Sequence, residues 1–550
     1  MKILLVAVNS KYIHTALAVR TLSAYVGSED VTYAEFTINE RIEDVVKAVY
    51  SYGTETVMFS CYIWNIEFVL KTAQTLKKIA PSVNIILGGP EVTFDSVDYM
   101  ERYPFIDGIM CGEGEETLAD FLENGISVNG MVYRQGDKVI VMPERGAVCD
   151  INSIPFPYSD EDIQRDKNKL IYYETSRGCP YRCSYCLSST VHNVRFRSLE
   201  TVKKELIRFI NGGVKIVKFV DRTFNADKKR AEELVRFLSE NGGKTQFHFE
   251  IAADILSDEI IALFKASPRG MFLLEIGVQS TKMQTIEAID RKTDFEKISK
   301  AVKELSGYVH MHLDLIAGLP YETYEDFKNS FNDVLSLEPD VLQLGFLKLL
   351  RGTKIRRESE KYGYVFNNYP PYEVLSNNYI SYEEMLKLKA VENVLERYYN
   401  SGVFENSIRY LLKEYIAPFE LFSKLGSYFE KKGYLNSAIS QNNLYAILAE
   451  FNSEEKFREY LKLDFFLNTN NPSTPLWSVQ PYDNSLLKRR FKILSEEFII
   501  KNMPEYKNIP VKEIIKSVQL ESFCYDVLGS GEKKDIIIAF DKKYKRCVQC

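Results

Sequence analysis

A chain of 550 residues is too long for one hydrophobic core, and its length points to about three or four domains. With 45% hydrophobic and 27% charged residues and no low-complexity tract, its composition is that of an ordinary globular protein. A formal net charge of −6 at pH 7 gives no electrostatic case for a nucleic-acid partner, and a tRNA substrate gains nothing from it.

The first apolar run, Ile3 to Val8, is too short for a signal-peptide core or a membrane span and reads as a buried first strand. Nine cysteines without a secretory leader argue for reduced thiols in metal or redox chemistry. The expected location is the cytoplasm, with no membrane partner.

Residues 1 to about 145 alternate strand and helix. Strand-like runs at 2–8, 56–60, 84–89 and 106–112 are separated by helical patterns at Ala16–Val26, Ile42–Tyr50 and Ile66–Ile79. That alternation is the mark of a Rossmann-like parallel sheet, so a first domain is expected over 1–140. The Pro-containing stretch 141–167 reads as a linker. Six further strand candidates, at 170–175, 214–223, 246–253, 272–279, 310–318 and 341–350, suggest a (βα)6 partial barrel over 168–375. Its site would lie at the carboxyl ends of the strands. Residues 376–550 are mainly helical and end in two strand-like runs, VQLESFCYDVL and KDIIIAF. The fold class is therefore α/β with a helical third domain.

Three cysteines follow the first barrel strand, as Cys179-x3-Cys183-x2-Cys186. Thiolates are the preferred ligands of iron–sulfur clusters, and three of them leave one iron of a [4Fe-4S] cube open to a substrate. A zinc site would need a fourth ligand, for which His192 is the nearest candidate.

The triplet, with Tyr185 before its last cysteine, resembles the defining motif of the radical S-adenosylmethionine (SAM) superfamily. The resemblance implies that SAM chelates the open iron and is cleaved reductively to a radical that abstracts hydrogen. It also implies SAM contacts from Tyr185 near the adenine, and from Asp221 in KFVDRTFN and Glu250 in FHFEIAAD. Gln279 in EIGVQS and Ile316 in DLIAGLPYET complete the set. Many relatives carry a second acid where Arg222 stands, and an Arg where Ala252 and Ala253 stand, so those roles are absent here. Taken singly, each of these residues also reads as a strand-end or core residue.

The first domain has NSKYIHTAL where a nicotinamide-binding sheet would carry G-x-G-x-x-G. It resembles instead the cobalamin-binding domains fused ahead of many radical SAM barrels. Tyr12-x-His14-x-x-Leu17, Ser60-Cys61-Tyr62, Gly88-Gly89 and Gly112-Glu113-Gly114-Glu115 stand where that family places D-x-H-x-x-G, S-x-L, G-G and GEGE. Serine and paired glycines let backbone approach a nucleotide tail. With Tyr12 and Leu17 replacing Asp and Gly, His14 is not expected to ligate cobalt, and a local helix-start hydrogen bond is its other reading. Trp64 and Asn65 are candidates to line the corrin face.

The resemblance implies a [4Fe-4S] cluster, SAM and cobalamin as cofactors. It also implies methyl transfer to an unactivated carbon or phosphorus centre of a small molecule or peptide. A low-potential donor such as flavodoxin or ferredoxin would supply electrons. Three alternatives stay open: radical oxidative cyclisation or rearrangement, a methylthiotransferase with a second cluster on Cys61, Cys111 and Cys149, and a non-catalytic corrinoid or Fe–S binding protein. Near the end of the chain, Cys547 and Cys550 could hold metal, pair with Cys524, or be ordinary tail thiols, and KRRFK (488–492) reads as a solvated helix face.

Overall fold

The computed structural model describes residues 1–191, 193–470, 473–478 and 499–549. The apolar start makes β1 (Ile3–Asn9), buried on both faces and so placed centrally in its sheet. Its companions β2 (Val31–Thr37), β3 (Thr56–Ser60), β4 (Asn84–Gly88) and β5 (Gly108–Met110) run parallel in the order β2-β1-β3-β4-β5. β6 (Met131–Gln135) and β7 (Lys138–Val141) extend the sheet antiparallel. Helices Ile42–Ser51 and Ile66–Ile79 bury Val45, Val49, Val69 and Leu76 on one face. Helices Leu17–Val26 and Glu115–Asn124 bury Val19, Leu118 and Phe121 on the other. Strand order reverses between β1 and β3, where open α/β sheets leave a crevice at their carboxyl ends.

The four-strand expectation omits β2 and the β6–β7 hairpin. β2 (VTYAEFT) is an edge strand that mixes buried and half-buried positions, and the hairpin strands are short, turned at Gly136 with φ +59°. Residues 141–167 are ordered more fully than a linker needs. A capping box between Ser159 and Asp162 starts helix Asp160–Asp166. From that helix Asp166 reaches Arg20 at 2.8 Å, and Arg20 also pairs with Glu35. All three are largely withdrawn from solvent, so the guanidinium is held by the counter-charges that make its burial affordable.

The second sheet follows chain order. β8 (Leu170–Tyr173), β11 (Ile216–Phe219), β12 (Gln246–Ile251), β13 (Phe272–Gln279), β14 (His310–Ala317) and β15 (Val341–Phe346) lie side by side as the (βα)6 reading expects. Between β8 and β11, the short strands β9 (Ser176–Arg177) and β10 (Arg195–Phe196) pair antiparallel, and residues 178–194 are the excursion between them. Alternation sorts the side chains. Phe219, Phe247, Phe249, Leu274, Ile276, Leu313 and Leu315 are buried, while Lys218, Glu250, Glu275, His312, Asp314 and Ile316 stand half-buried on the opposite face.

The chain divides into two compact units, Met1–Pro339 with Leu344–Tyr382, and Asp340–Gln343 with Glu383–Cys550. The first holds both sheets. The second consists of helices such as Glu405–Glu414, Pro418–Lys432, Gln441–Phe451 and Glu455–Asn468, followed by a three-stranded antiparallel sheet. Its third strand, Arg546–Gln549, was expected as tail. Cys547 there lies opposite Phe540, and Phe540 lies opposite Gln519, well along the strand from Cys524, so the register does not pair those two thiols. Cys550, His192 and the KRRFK stretch lie outside the described residues. Among those described, no helix is long and apolar enough to cross a membrane.

Candidate active site

The cysteine loop is anchored before it begins. Asp221, buried just past the end of β11, accepts hydrogen bonds from the Thr175 N–H (2.8 Å) and hydroxyl (2.5 Å) at the root of the loop. Burial pushes this carboxyl up, against those donors. Asp221 is expected to approach SAM, and here both of its oxygens accept from Thr175 at the root of the loop. Gly178 follows at φ +103°, where a β-carbon would stand 2.4 Å from the Asn193 carbonyl, so only glycine lets the two limbs meet. Farther along, the Ser184 N–H donates to Ile289 O (2.8 Å), the Ile355 N–H to Ser184 O (3.0 Å) and the Cys186 N–H to Cys183 O (3.1 Å).

Cys183 is buried, and burial raises its thiol while Arg291, 3.7 Å away, opposes that. Arg291 also reaches Tyr185 Oη (3.5 Å) and Gly277 O (2.5 Å), and its Nε is buried without a hydrogen-bond partner. Cys179 Sγ lies 3.6 Å from Thr223 Oγ1. No group of three His, Cys, Asp or Glu among the described residues is arranged round a single metal ion. A cubane does not ask for that, because each thiolate binds a different iron and the three stand apart.

The other expected SAM contacts face the same barrel mouth. Gln279 sits at a bulge in β13 with φ +70°, its Oε1 buried and unpartnered. Gly277 makes room for it, since a β-carbon there would come 2.3 Å from Gln279 Nε2. Asp314 Oδ1 is likewise buried without a partner, and burial, with Glu275 and Glu250 nearby, raises that carboxyl to about 8. Burial raises Glu250 too, with Arg222 (3.8 Å) opposing. Ile316 is half-buried one position farther along the same face. Below them, Glu275 takes Lys218 at 2.9 Å and lies 2.9 Å from His248 Nε2. Burial would raise it, but these partners hold it at about 2.

A cavity of about 660 Å³ opens at the crevice of the first sheet. One end is an apolar slot between Leu5, Val19, Leu22, Met58, Ile86 and Met110; the other reaches the barrel at Tyr172, Lys218 and Glu250. His14, Ser60, Tyr62, Gly88, Gly89, Gly112, Glu113 and Gly114 all line it, as the sequence reading expects. Gly89 has φ +102°, and a β-carbon there would lie 2.7 Å from Cys61 O; at Gly114 it would touch Leu22 and Met110 at 3.1 Å. Trp64 also lines the cavity, stacked on Tyr62 at 4.3 Å.

Three expectations are corrected. Tyr12 is exposed, under Lys169, and is not part of the wall, because the 10–14 turn points it outward. Asn65 is buried as a latch, donating to Val8 O and Ser60 O and accepting from the Tyr62 N–H. The thiols of Cys61, Cys111 and Cys149 do not converge. Cys61 is in the core against Phe59 O, Cys111 faces Thr93 O, and Cys149 is exposed. His14 Nδ1 is 2.8 Å from Tyr172 Oη, a partner in the barrel and not in its own helix start.

Sequence reasoning also missed the arginines. Glu113 is held by Arg195 on both carboxylate oxygens (2.5 and 3.0 Å) and by Arg177 (3.2 Å), while Arg177 also binds Glu115 and Glu174, each at 2.8 Å. Arg177 stands two residues before Cys179. That adjacency was the only signal, and it names no partner.

This geometry fits the groups the motifs imply. Three thiols on a pinned loop, next to an unpartnered buried guanidinium nitrogen and unpartnered Gln279 and Asp314 oxygens, suit a cluster with a polar cosubstrate. An apolar slot walled by glycine backbone suits a nucleotide-tailed corrinoid.

The chain carries a B12 binding domain over residues 3–122 and a radical SAM superfamily domain over 173–334, followed over 360–540 by a protein domain of unknown function, DUF4080. It is thus an α/β protein of the cobalamin-domain radical SAM group, with an uncharacterised C-terminal domain. Among its relatives, it is 28% identical over 307 residues to the cobalamin-dependent radical SAM methyltransferase TokK of Streptomyces tokunonensis, covering 51% of this chain and 45% of that one. It is 27% identical over 344 residues to an uncharacterised methyltransferase of Pyrococcus horikoshii, covering 60% and 72%. The chain therefore spans less than half of TokK's length. The cobalamin-dependent SAM radical enzyme OxsB, solved with aqua-cobalamin and SAM bound, shares the fold at a TM-score of 0.58 and 17% identity, covering 94% of this chain and 81% of that one.

Proposed function

We propose that the chain is a cobalamin-dependent radical SAM enzyme that transfers a methyl group to an unactivated carbon or phosphorus centre of a small molecule or peptide. The observation that carries this is the cavity of about 660 Å³ walled by residues of both sheets, with the cysteine loop anchored beside it. In this reading the B12-type module occupies 1–140, the ordered tether 141–167 and the barrel 168–375, with 376–550 as a third domain. The bound groups supply reductive cleavage of a sulfonium and a carrier for the methyl group.

The chain's own residues do the rest. Cys179, Cys183 and Cys186 hold three irons. Tyr185, Glu250, Gln279 and Ile316 receive SAM, and Asp221 steadies the loop on which the cluster hangs. Ser60, Tyr62, Gly88, Gly89, Gly112 and Gly114 admit the corrinoid tail, and His14 lines the same cavity with its Nδ1 bonded to Tyr172. The joint cavity excludes water from the space where the substrate must lie. A low-potential flavodoxin- or ferredoxin-type donor in the cytoplasm completes the scheme.

The test is anaerobic purification and reconstitution with hydroxocobalamin. About four irons and one corrinoid per chain, with 5′-deoxyadenosine formed from SAM under reduction, are the expected result. If the reduced protein holding both groups forms no 5′-deoxyadenosine and methylates no added acceptor pool, the reading fails.

A further inference from the structure

The Gly112–Glu115 turn does two things at once. Its glycines are cavity wall, and Gly114 sits against Leu22 and Met110, which a β-carbon would meet at 3.1 Å. Its acids are wall residues too, and both are paired to arginines of the β9–β10 ribbon and its root. Glu113 accepts the Val148 N–H (2.8 Å), takes Arg195 on both oxygens and meets Arg177, and Glu115 takes Arg177 again. Burial works against the Glu113 carboxylate, yet these donors hold it below its ordinary range, so it is ionised throughout the neutral region.

Arg177 and Arg195 are cross-strand partners in the β9–β10 ribbon. Because the cysteine loop is the excursion between those two strands, the two arginines are the two ends of its base. One carboxylate on the cavity wall thus grips both ends of the loop that carries Cys179, Cys183 and Cys186. Arg177 and Glu174, at the loop's root, are themselves cavity-lining residues.

We propose that Glu113 is a positioning residue that couples the two cofactor sites, so that filling the slot beside Gly114 and ordering the cysteine loop favour each other. The inference rests on the function proposed above. Occupation of the slot fixes the turn, the turn fixes both arginines, and the loop base is then set before a cluster is assembled on it. Linkage makes the effect reciprocal, so a loop held by its cluster binds the corrinoid more tightly.

The experiment measures hydroxocobalamin affinity by anaerobic equilibrium dialysis of the full chain, with cobalt counted by elemental analysis, with and without a reconstituted cluster. In the wild type the cluster should tighten binding by about tenfold, in the ordinary range of such couplings. In Glu113→Gln that ratio should fall to about one, whatever the cluster-free affinity becomes, and Glu113→Asp should recover part of it. Arg195→Gln, which leaves the Arg177 pairs in place, should give an intermediate ratio and guards against a poorly folded first variant. The signal of the reduced cluster, read by electron paramagnetic resonance, should shift on adding corrinoid already reduced to cob(II)alamin in the wild type and not in Glu113→Gln. A role in stability alone would lower the melting temperature and leave the ratio intact. A wild type that binds both groups with a ratio of one, or a Glu113→Gln variant with the wild-type ratio, overturns the coupling while leaving the proposed function standing. A wild type that takes up no corrinoid overturns both.

Discussion

The cysteine loop and the crevice of the first sheet hold their ligands by opposite means. In the loop the recognition is side-chain chemistry: three thiols at set intervals, with backbone hydrogen bonds from Ser184 and Cys186 merely aiming them. In the crevice it is backbone packing, with Gly89 and Gly114 at places where a β-carbon would meet the Cys61 carbonyl, or Leu22 and Met110. A site of the first kind can lose its function by one atom exchanged. One of the second kind can lose it by one atom added.

The largest effect should come from Cys183→Ala. Iron should fall from about four per chain to near zero, measured by elemental analysis, while corrinoid still binds, weakened by no more than about tenfold. Loss of both would mean the two sites are not separately built. The converse is Gly89→Ala. Its β-carbon meets the Cys61 carbonyl at a backbone angle disfavoured for alanine, a strain of roughly 1–3 kcal/mol that should weaken corrinoid binding about 10- to 100-fold with iron content unchanged.

The barrel floor offers an electrostatic contrast. Glu275 is ionised down to about 2 in the fold and has an ordinary value near 4.5 when unfolded. The stability it contributes, roughly 3 kcal/mol at most, is therefore complete above about pH 4.5 and lost as pH falls toward 2. Denaturation midpoints followed over that range should fall more steeply in the wild type than in Glu275→Gln; parallel curves would assign the acid sensitivity elsewhere. The smallest effect should come from Trp64→Ala, which removes the Tyr62 stack and about 0.5–1.5 kcal/mol, or about three- to tenfold in corrinoid affinity. A loss as large as that of Gly89→Ala would break the contrast, because the crevice would then depend on a side chain after all.

The same contrast governs what could be read from the sequence. Cys179, Cys183 and Cys186 announce themselves by spacing, and all six barrel strands were legible from their apolar runs. β2 was not, since an edge strand with Glu35 and Tyr33 lacks a continuous apolar run. Glu113 was read as a wall residue, and its grip on Arg177 and Arg195 could not be seen, because it joins residues 64 and 82 positions apart through a fold no local pattern encodes. Asp221 shows the same limit: its place at a strand end was readable, but the donors that would claim its oxygens were not.

The tether from 143 to 167 has a consequence for the chain as a covalent object. Within the tether Tyr158 and Asp166 come back to Arg20, and just beyond it Leu170 pairs with Ile13 and His14. The contacts that unite the first sheet with the barrel thus lie on both sides of Glu144–Gly146, where Glu144 and Gly146 are exposed and Arg145 pairs with Glu116 and Asp120 of the first domain. A cut there would sever the polypeptide without parting the halves. Fragments 1–145 and 146–550, produced together, should assemble into one complex, whereas adding Arg20→Met should let them separate on gel filtration. The chain is one molecule here by its interior charges as much as by its peptide bonds.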